Sequence, residues 1–460
     1  MEEIRLINTN DLHSHFENWP KIRRYFNQQQ QLSENEGHTT ISIDLGDFSD
    51  RVHPLTEATN GQANTMLMNQ ANYDLATIGN NEGIGNSQKD LNHLYDKAEF
   101  TVVLGNVKDI KTGKQPDWAK PYEIIESKEG TKLGFIGLTA PYPLTYNPSG
   151  WDILTVAESL PPLLNELTPQ VDVIILLSHL GLPTDREIAK HYPEISVILG
   201  AHTHHLLENG ETIGETLLTG AGKFGRYIGE TRLQIKDKQV IAKETLAIPI
   251  STLPEIESDE FEISEYWQKG EILLSETRLA DLTEPLNLTD PNKDYETLGS
   301  VCLEALKEEA GTEVALLNTG LFLGALGKGE VNALMLHRCL PHPIHLVRVT
   351  LKGKDLLKFL TSIEEQRSKL KEHPIVGMGF RGKVFGEIIY SGITKNEEKQ
   401  FLWLGQKVDP KRDYTFTTVD HLVFIKYFPV LLAKGKIDFL FPAFLRQVLG
   451  QYLQTHYSIE

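Results

Sequence analysis

Ile4-Arg5-Leu6-Ile7-Asn8-Thr9-Asn10-Asp11-Leu12-His13-Ser14-His15 sets an apolar run against a cluster of metal donors. Ile4 to Ile7 reads as a buried strand, and Asp11, His13 and His15 fall in the loop that follows it. The arrangement recurs four times in the first half of the chain. Ile41 to Leu45 precedes Gly46-Asp47, and Leu75 to Ile78 precedes Gly79-Asn80-Asn81-Glu82. Val173 to Leu177 precedes Ser178-His179, and Val197 to Leu199 precedes His202-Thr203-His204. In an open α/β sheet the loops after the carboxyl ends of the strands converge on one crevice. Residues far apart in sequence are therefore expected to meet.

The set mixes hard oxygen donors (Asp11, Asp47, Asn80) with the imidazoles of His13, His179, His202 and His204. That mixture suits Zn, Mn, Fe or Co better than Ca or Mg. Two such ions about 3.5–4 Å apart can clamp the attacking and leaving oxygens of a phosphoryl displacement, and water between them is a nucleophile near neutral pH. Asp47 is the expected bridge, with Gly46 allowing a tight turn at the strand end. Asp11, His13 and His204 would complete one shell, and Asn80, His179 and His202 the other. The neutral Asn80 amide keeps the site's charge low enough to admit an anion. Each cluster alone reads as a surface histidine or a capping aspartate. All five in order, each after an apolar run, read as a binuclear metal site.

The ordered set resembles the calcineurin-like metallophosphoesterase superfamily: D-x-H, G-D, G-N-[HN]-[DE], H and G-H-x-H, with Ala201 in place of the last glycine. Thr9 to His15 is similar to the 5′-nucleotidase branch, which carries a C-terminal substrate domain. Asn318-Thr319-Gly320 resembles that domain's Gly-rich turn, Val347 to Leu360 its next strand and helix, and Asp413 to Thr418 a late strand. The resemblance implies an α/β metallophosphoesterase domain of four αββα layers over 1–252, a linker helix over 253–285, and an α+β substrate domain over 286–460.

Three departures bear on function. The family's catalytic dyad, a His and an Asp, is replaced by Asn81 and Ile84. Asn81 can donate a hydrogen bond to a phosphoryl oxygen but cannot deliver a proton, which leaves His15 and His205 as candidate acids. The family's phosphate-gripping arginine is missing from Leu321-Phe322-Leu323, so Arg338, Arg348 and Arg381 are candidate substitutes. The aromatic clamp for a nucleobase is altered to Pro341-His342-Pro343-Ile344, Asp420-His421 and Tyr427-Phe428. His342, His421 and Tyr427 could still stack on a base; the plainer reading puts Tyr427 and Phe428 in a core. Asn318 completes the candidate substrate-binding set.

The length of 460 residues argues for two domains. Apolar residues at 40% and charged residues at 23% are ordinary for a globular protein. No apolar run reaches the roughly 18 residues of a membrane span. A net charge of −18 argues against nonspecific nucleic-acid binding. It also repels phosphorylated ligands at long range, so metals and local cations must dominate inside the cleft. Met1-Glu2-Glu3 leads straight into the first strand without a basic or apolar leader, and the expectation is a cytoplasmic protein. Cys302 and Cys339 show no pairing pattern. The sequence specifies no oligomeric state.

Smaller features complete the picture. Gly220 to Tyr227, with Lys223, Arg226 and Tyr227, reads as a hairpin that could close over the metal face. Pro254 to Leu282 reads as one long amphipathic linker helix, eased near Gly270. Helices are expected over Tyr295 to Ala310, Gly353 to Leu370 and Phe441 to Gln454. The leading expectation is a two-metal hydrolase of small phosphate esters, nucleotides above all, with water attacking phosphorus. One alternative is a phosphodiesterase or pyrophosphatase, because a phosphate leaving group suffers least from a missing acid. Another is a protein that binds a nucleotide without turnover.

Overall fold

Strand Glu2–Thr9 forms where the Ile4 to Ile7 run predicts it, inside a six-stranded sheet. It pairs in parallel with Thr39–Asp44 and antiparallel with Tyr227–Lys236. Leu75–Ala76 and Thr101–Val102 extend one edge of this sheet, and Gln239–Pro249 forms the other. A second six-stranded sheet runs Leu206–Ile213, Thr216–Ala221, Ile195–Gly200, Val173–His179, Lys132–Thr139, Tyr122–Glu126. The computed structural model describes residues 1–289, 296–375, 377 and 379–457.

The two sheets face each other. Ile4, Leu6, Ile41 and Ile43 from one share a core with Phe135, Ile175, Leu177, Val197 and Leu199 from the other. The outer face of the first sheet is covered by helices Trp19–Glu36 and Gln62–Gln70, through Trp19, Ile22, Phe26, Leu67 and Met68. Helices Val156–Leu167 and Leu182–His191 cover the second sheet through Leu160, Leu163, Leu164 and Ile188. These are the four αββα layers expected. Central strands buried on both faces must be apolar throughout, so they appear in the sequence as unbroken runs rather than alternations.

The chain divides into two units, Met1–Gly270 and Glu271–Glu460. The expected linker over 253–285 has no body of its own. Its helix is Ser258–Ser275, and Arg278–Leu282 is already a strand, paired with Gly329–Asn332. The helix start is tied to the first unit by Arg24–Asp259 and Arg23–Glu262 ion pairs. Gly270 does not ease the helix. A Cβ there would lie 2.1 Å from Leu55 N, so the glycine permits close approach to the backbone.

The second unit is α+β, as expected. Its main sheet runs Ile388–Ser391, Ala315–Asn318, Asp413–Val419, His345–Lys352, Lys436–Phe444, with helices Leu298–Ala310, Gly353–Lys371 and Leu445–His456. The expected start of the first helix at Tyr295 lies outside the described residues. The last helix starts later than expected, because Lys436–Phe444 takes its first residues into an edge strand, where Pro442 needs no ladder donor. Among the described residues no helix is long and apolar enough to cross a membrane.

The expected hairpin over Gly220 to Tyr227 is absent. Thr216–Ala221 belongs to the second sheet and Tyr227–Lys236 to the first, so the segment crosses from one sheet to the other. A hairpin and a crossover share the same Gly-rich turn chemistry, and only pairing of the flanking strands distinguishes them.

Candidate metal centre

The loops after the ligand strands meet at one end of the facing sheets. Asp11, His13 and His204 bring one donor atom each within 4.8 Å of one another, and Asp47, His179 and His202 do the same. His204 Nε2 lies 3.4 Å from Asp11 Oδ1 and 3.3 Å from His13 Nε2. Asp47 Oδ2 lies 3.7 Å from His13 Nε2 and 3.5 Å from His179 Nε2, between the two groups as a bridge requires. Asp11 Oδ1, Asn80 Oδ1 and His179 Nε2 are buried without hydrogen-bond partners among the described residues. Buried polar atoms are normally paired, so orphans of this donor chemistry fit a pair of divalent cations.

The backbone is bent to this purpose. Asp11, His13, Asp47, His202 and His204 all have φ between +49° and +72°. Asp, Asn and His tolerate the left-handed region better than most residues, and strain of this kind collects at functional sites. Asp11 N donates to Gly46 O at 3.0 Å and His13 N to Asp47 O at 2.8 Å, stitching the first two loops together.

A further ring of groups orients the donors. His179 Nδ1 sits 2.7 Å from Leu45 O, which points Nε2 inward. Asp11 Oδ2 accepts from Asn10 Nδ2 and from His202 N. Glu82 is buried and accepts from the backbone amides of Asp47, Gly79 and Ser49 and from the Ser49 hydroxyl. Burial, with Asp47 nearby, raises its pKa. Glu82→Gln removes the charge that binds the second and third donor loops together, and a 10–100-fold loss of metal affinity is expected by isothermal titration, roughly the cost of losing an outer partner.

Electrostatics pair the donors before any cation arrives. Burial opposes protonation of His179, but Asp47 beside it prevails and lifts the imidazole to about 10. Asp47 is itself buried, yet His179 and His13 hold it well below the usual carboxylate range. His202 goes the other way, to about 4, through burial and then the His179 charge. Uptake of a cation through His179 therefore displaces a proton.

Asn81 stands inside the centre. Its backbone N donates to Asp47 Oδ1 at 2.7 Å, and its Nδ2 lies 2.9 Å from His13 Nδ1 and 3.0 Å from Ser49 O. His13 Nδ1 also faces Asp50 Oδ2 at 3.7 Å, so Asp50 would hold an Nδ1 proton if Nε2 held a cation. His15 lies at the rim with Nδ1 3.1 Å from Glu17 and its ring on Phe224. His205 is exposed, with Nδ1 on Thr203 Oγ1. Tyr142, absent from the expected set, places its hydroxyl 2.7 Å from His202 Nε2. The only sequence signal for it was its place in the loop after an apolar strand.

The expected substrate-binding residues lie in the second unit, where Asn318, His342, Arg381 and His421 gather around Phe380 and Phe385 while Arg338 is engaged elsewhere. Asn318 is fully buried, with Nδ2 on Phe385 O. His342 is buried, with Nε2 on Leu321 O and its ring stacked on Phe380. Arg381 N donates to His342 Nδ1. His421 is fully buried, its ring edge-on to Phe380 and Phe385. Tyr427 bonds His373, and Arg338 pairs with Glu271 at 2.7 Å. Imidazoles at His342 and His421 therefore sit in this unit's core, where neither presents an open face to a base.

Burial holds His342 near 3 and His421 near 4. The unfolded chain protonates such rings near pH 6.5, so it binds more protons than the native state between about pH 6.5 and 4. Stability is therefore lost as pH falls through that window. His421→Phe is expected to flatten the acid side of a denaturant-midpoint profile by about 2–3 kcal/mol between pH 7 and 4.

Residues 4–206 match the family described as calcineurin-like phosphoesterase, and residues 279–426 match the 5′-nucleotidase C-terminal domain. Over 460 residues the chain is 36% identical to the uncharacterized metallophosphoesterase YunD of Bacillus subtilis (strain 168), covering 98% of each. In fold it is similar to a putative 5′-nucleotidase from Staphylococcus aureus, with a TM-score of 0.66 at 16% identity over 99% of this chain and 97% of that one. The Haemophilus influenzae NAD nucleotidase follows, with a TM-score of 0.64 at 17% identity over 99% and 96%. Calcineurin-like phosphoesterases use divalent metals, and two donor groups suited to them stand together here. This chain belongs to the calcineurin-like metallophosphoesterases that carry a 5′-nucleotidase C-terminal domain.

Proposed function

We propose that this protein hydrolyses small phosphate esters, nucleotides foremost, using two divalent cations. The observation that carries this reading is the pair of donor groups with Asp47 between them. Asp11, His13 and His204 would hold one ion, and Asn80, His179 and His202 the other. The ions would supply Lewis acidity, activating water and neutralising phosphoryl charge. The chain's own contribution is to fix the donors, through left-handed turns and Glu82, before substrate arrives. Chelation is expected to abolish phosphate release, and Mn or Zn to restore it. An activity indifferent to chelator would sink the reading.

Asn81 favours one narrower version. No residue in its place can protonate a leaving alkoxide. A phosphate leaving group needs no proton, so phosphoanhydrides and other esters of good leaving groups are the preferred substrates. Rates on a mononucleotide, a cyclic nucleotide and a dinucleotide pyrophosphate decide the matter, with the last expected fastest. A mononucleotide preferred over both others would reject this version and leave the hydrolase reading in place.

A further inference from the structure

Lys223-Phe224-Gly225-Arg226, in the crossing segment between the sheets, carries two cations beside the metal centre. The segment is clasped to the donor loops. Phe224 N donates to Asp11 O at 2.8 Å, Asn10 Nδ2 to Gly222 O at 2.7 Å, and Gly222 N to His205 O at 3.1 Å. Phe224 is left-handed at φ +63°, an uncommon place for a bulky residue and a mark of imposed geometry. Gly225 follows at φ +59°, and a Cβ there would lie 2.6 Å from Leu12 and 2.8 Å from Ile22.

The Phe224 ring turns toward the centre. Its centroid lies 3.9 Å from that of His15 and 5.8 Å from that of His13. Lys223 Nζ sits 4.5 Å from the ring centroid, and the Arg226 guanidinium 5.6 Å. Such contacts are weak at exposed sites and leave the donors of both groups free for another acceptor. Among the described residues neither cation has a carboxylate partner, whereas Arg23, Arg24, Arg186 and Arg232 each have one. In a chain with 63 acidic against 45 basic residues, two unpaired cations beside a cluster of metal donors are conspicuous. The three candidate arginines of the second unit are engaged: Arg338 with Glu271, Arg348 with Ala310 O and Arg381 with Phe380 O.

We propose that Lys223, with Arg226 beside it, binds the anionic oxygens of the substrate's phosphoryl group, so that phosphate is gripped from the metal-bearing unit itself. The proposal rests on the hydrolase reading for its substrate, but not for its test. Ammonium and guanidinium groups both suit phosphate, lysine as a point charge and arginine as a fork.

The test is calorimetric binding of inorganic phosphate to the metal-reconstituted full-length protein, with bound metal counted in every sample. Lys223→Gln is expected to weaken phosphate binding about tenfold, a typical loss for one charge-assisted contact. Lys223→Arg should retain most of the affinity, and Arg226→Gln should lose less than Lys223→Gln. The salt dependence of binding should also shrink in Lys223→Gln, because a charge has gone. Unchanged phosphate affinity in Lys223→Gln overturns the proposal, as does a wild-type protein that binds no phosphate. Loss of bound metal in Lys223→Gln also overturns it, by assigning the residue to support of the centre. Lys223-dependent phosphate binding in a protein that cleaves no ester would uphold the proposal and defeat the hydrolase reading.

Discussion

Asp47→Asn is expected to fold, to retain at most one of two bound metals, and to lose about 10³-fold or more in phosphate release. The change is nearly isosteric, so the loops should close as before. Asp47 Oδ1 accepts from Asn81 N, and an amide oxygen can do the same. The other position is the one that fails. Oδ2 stands between His13 Nε2 at 3.7 Å and His179 Nε2 at 3.5 Å, and an amide NH2 there offers hydrogens where a shared anion is needed. Asp11 would be the only carboxylate left among the seven candidate donors. Metal content by mass spectrometry, far-ultraviolet dichroism and turnover on one preparation check all three parts. A variant with full metal content and a tenth or more of wild-type turnover would remove Asp47 from the bridge.

Gly46→Ala is expected to destabilise the first unit severely. A Cβ there would stand 2.2 Å from Gly79 N and 2.5 Å from Ile78 C, both backbone atoms that cannot swing aside. The residue is also at φ +88°, where an L side chain is strained regardless of space. Overlap and strain together place it in the tail of mutational effects, about 4 kcal/mol or more. For a unit of this size that is a fall of roughly 10 °C in melting temperature. Gly113→Ala is the control: φ is +66°, nothing lies within 4 Å of its Cβ, and only the conformational cost of about 1–2 kcal/mol remains. Similar melting temperatures for the two variants would show that the second and third donor loops do not need their close approach.

The gathering of Asp11, Asp47, His179, His202 and His204 was legible because each donor follows an apolar run, and such runs become buried strands whose ends share one side of the fold. The two-sheet architecture was legible only through the resemblance, since periodicity does not say which strands pair. That is why the segment from Gly220 to Tyr227 read as a hairpin. Tyr142 escaped notice because a phenol in a proline-rich loop carries no spacing signal. The start of the last helix was missed because Phe441 to Phe444 is apolar enough for either element, and pairing of Lys436–Phe444 with His345–Lys352 decides it. His342 and His421 read as possible platforms for a base, yet aromatic neighbours enclose both. Burial of an imidazole depends on distant residues and leaves no local trace.

The left-handed backbone at five of the donors limits what protein engineering can do with this centre. A swap of His202 for Cys or of Asp11 for Glu, aimed at another ion, must satisfy two demands at once. The new side chain must reach with the right atom, and its main chain must accept φ of +72° or +49°. Cysteine and glutamate meet the first demand more readily than the second. At Asp11, where no bridging anion is required, asparagine meets both, so the exchange that keeps the loops intact most easily is Asp11→Asn, whereas at Asp47 it meets only the second. The Asp11 exchange lowers the charge of the cage by one unit without redrawing it.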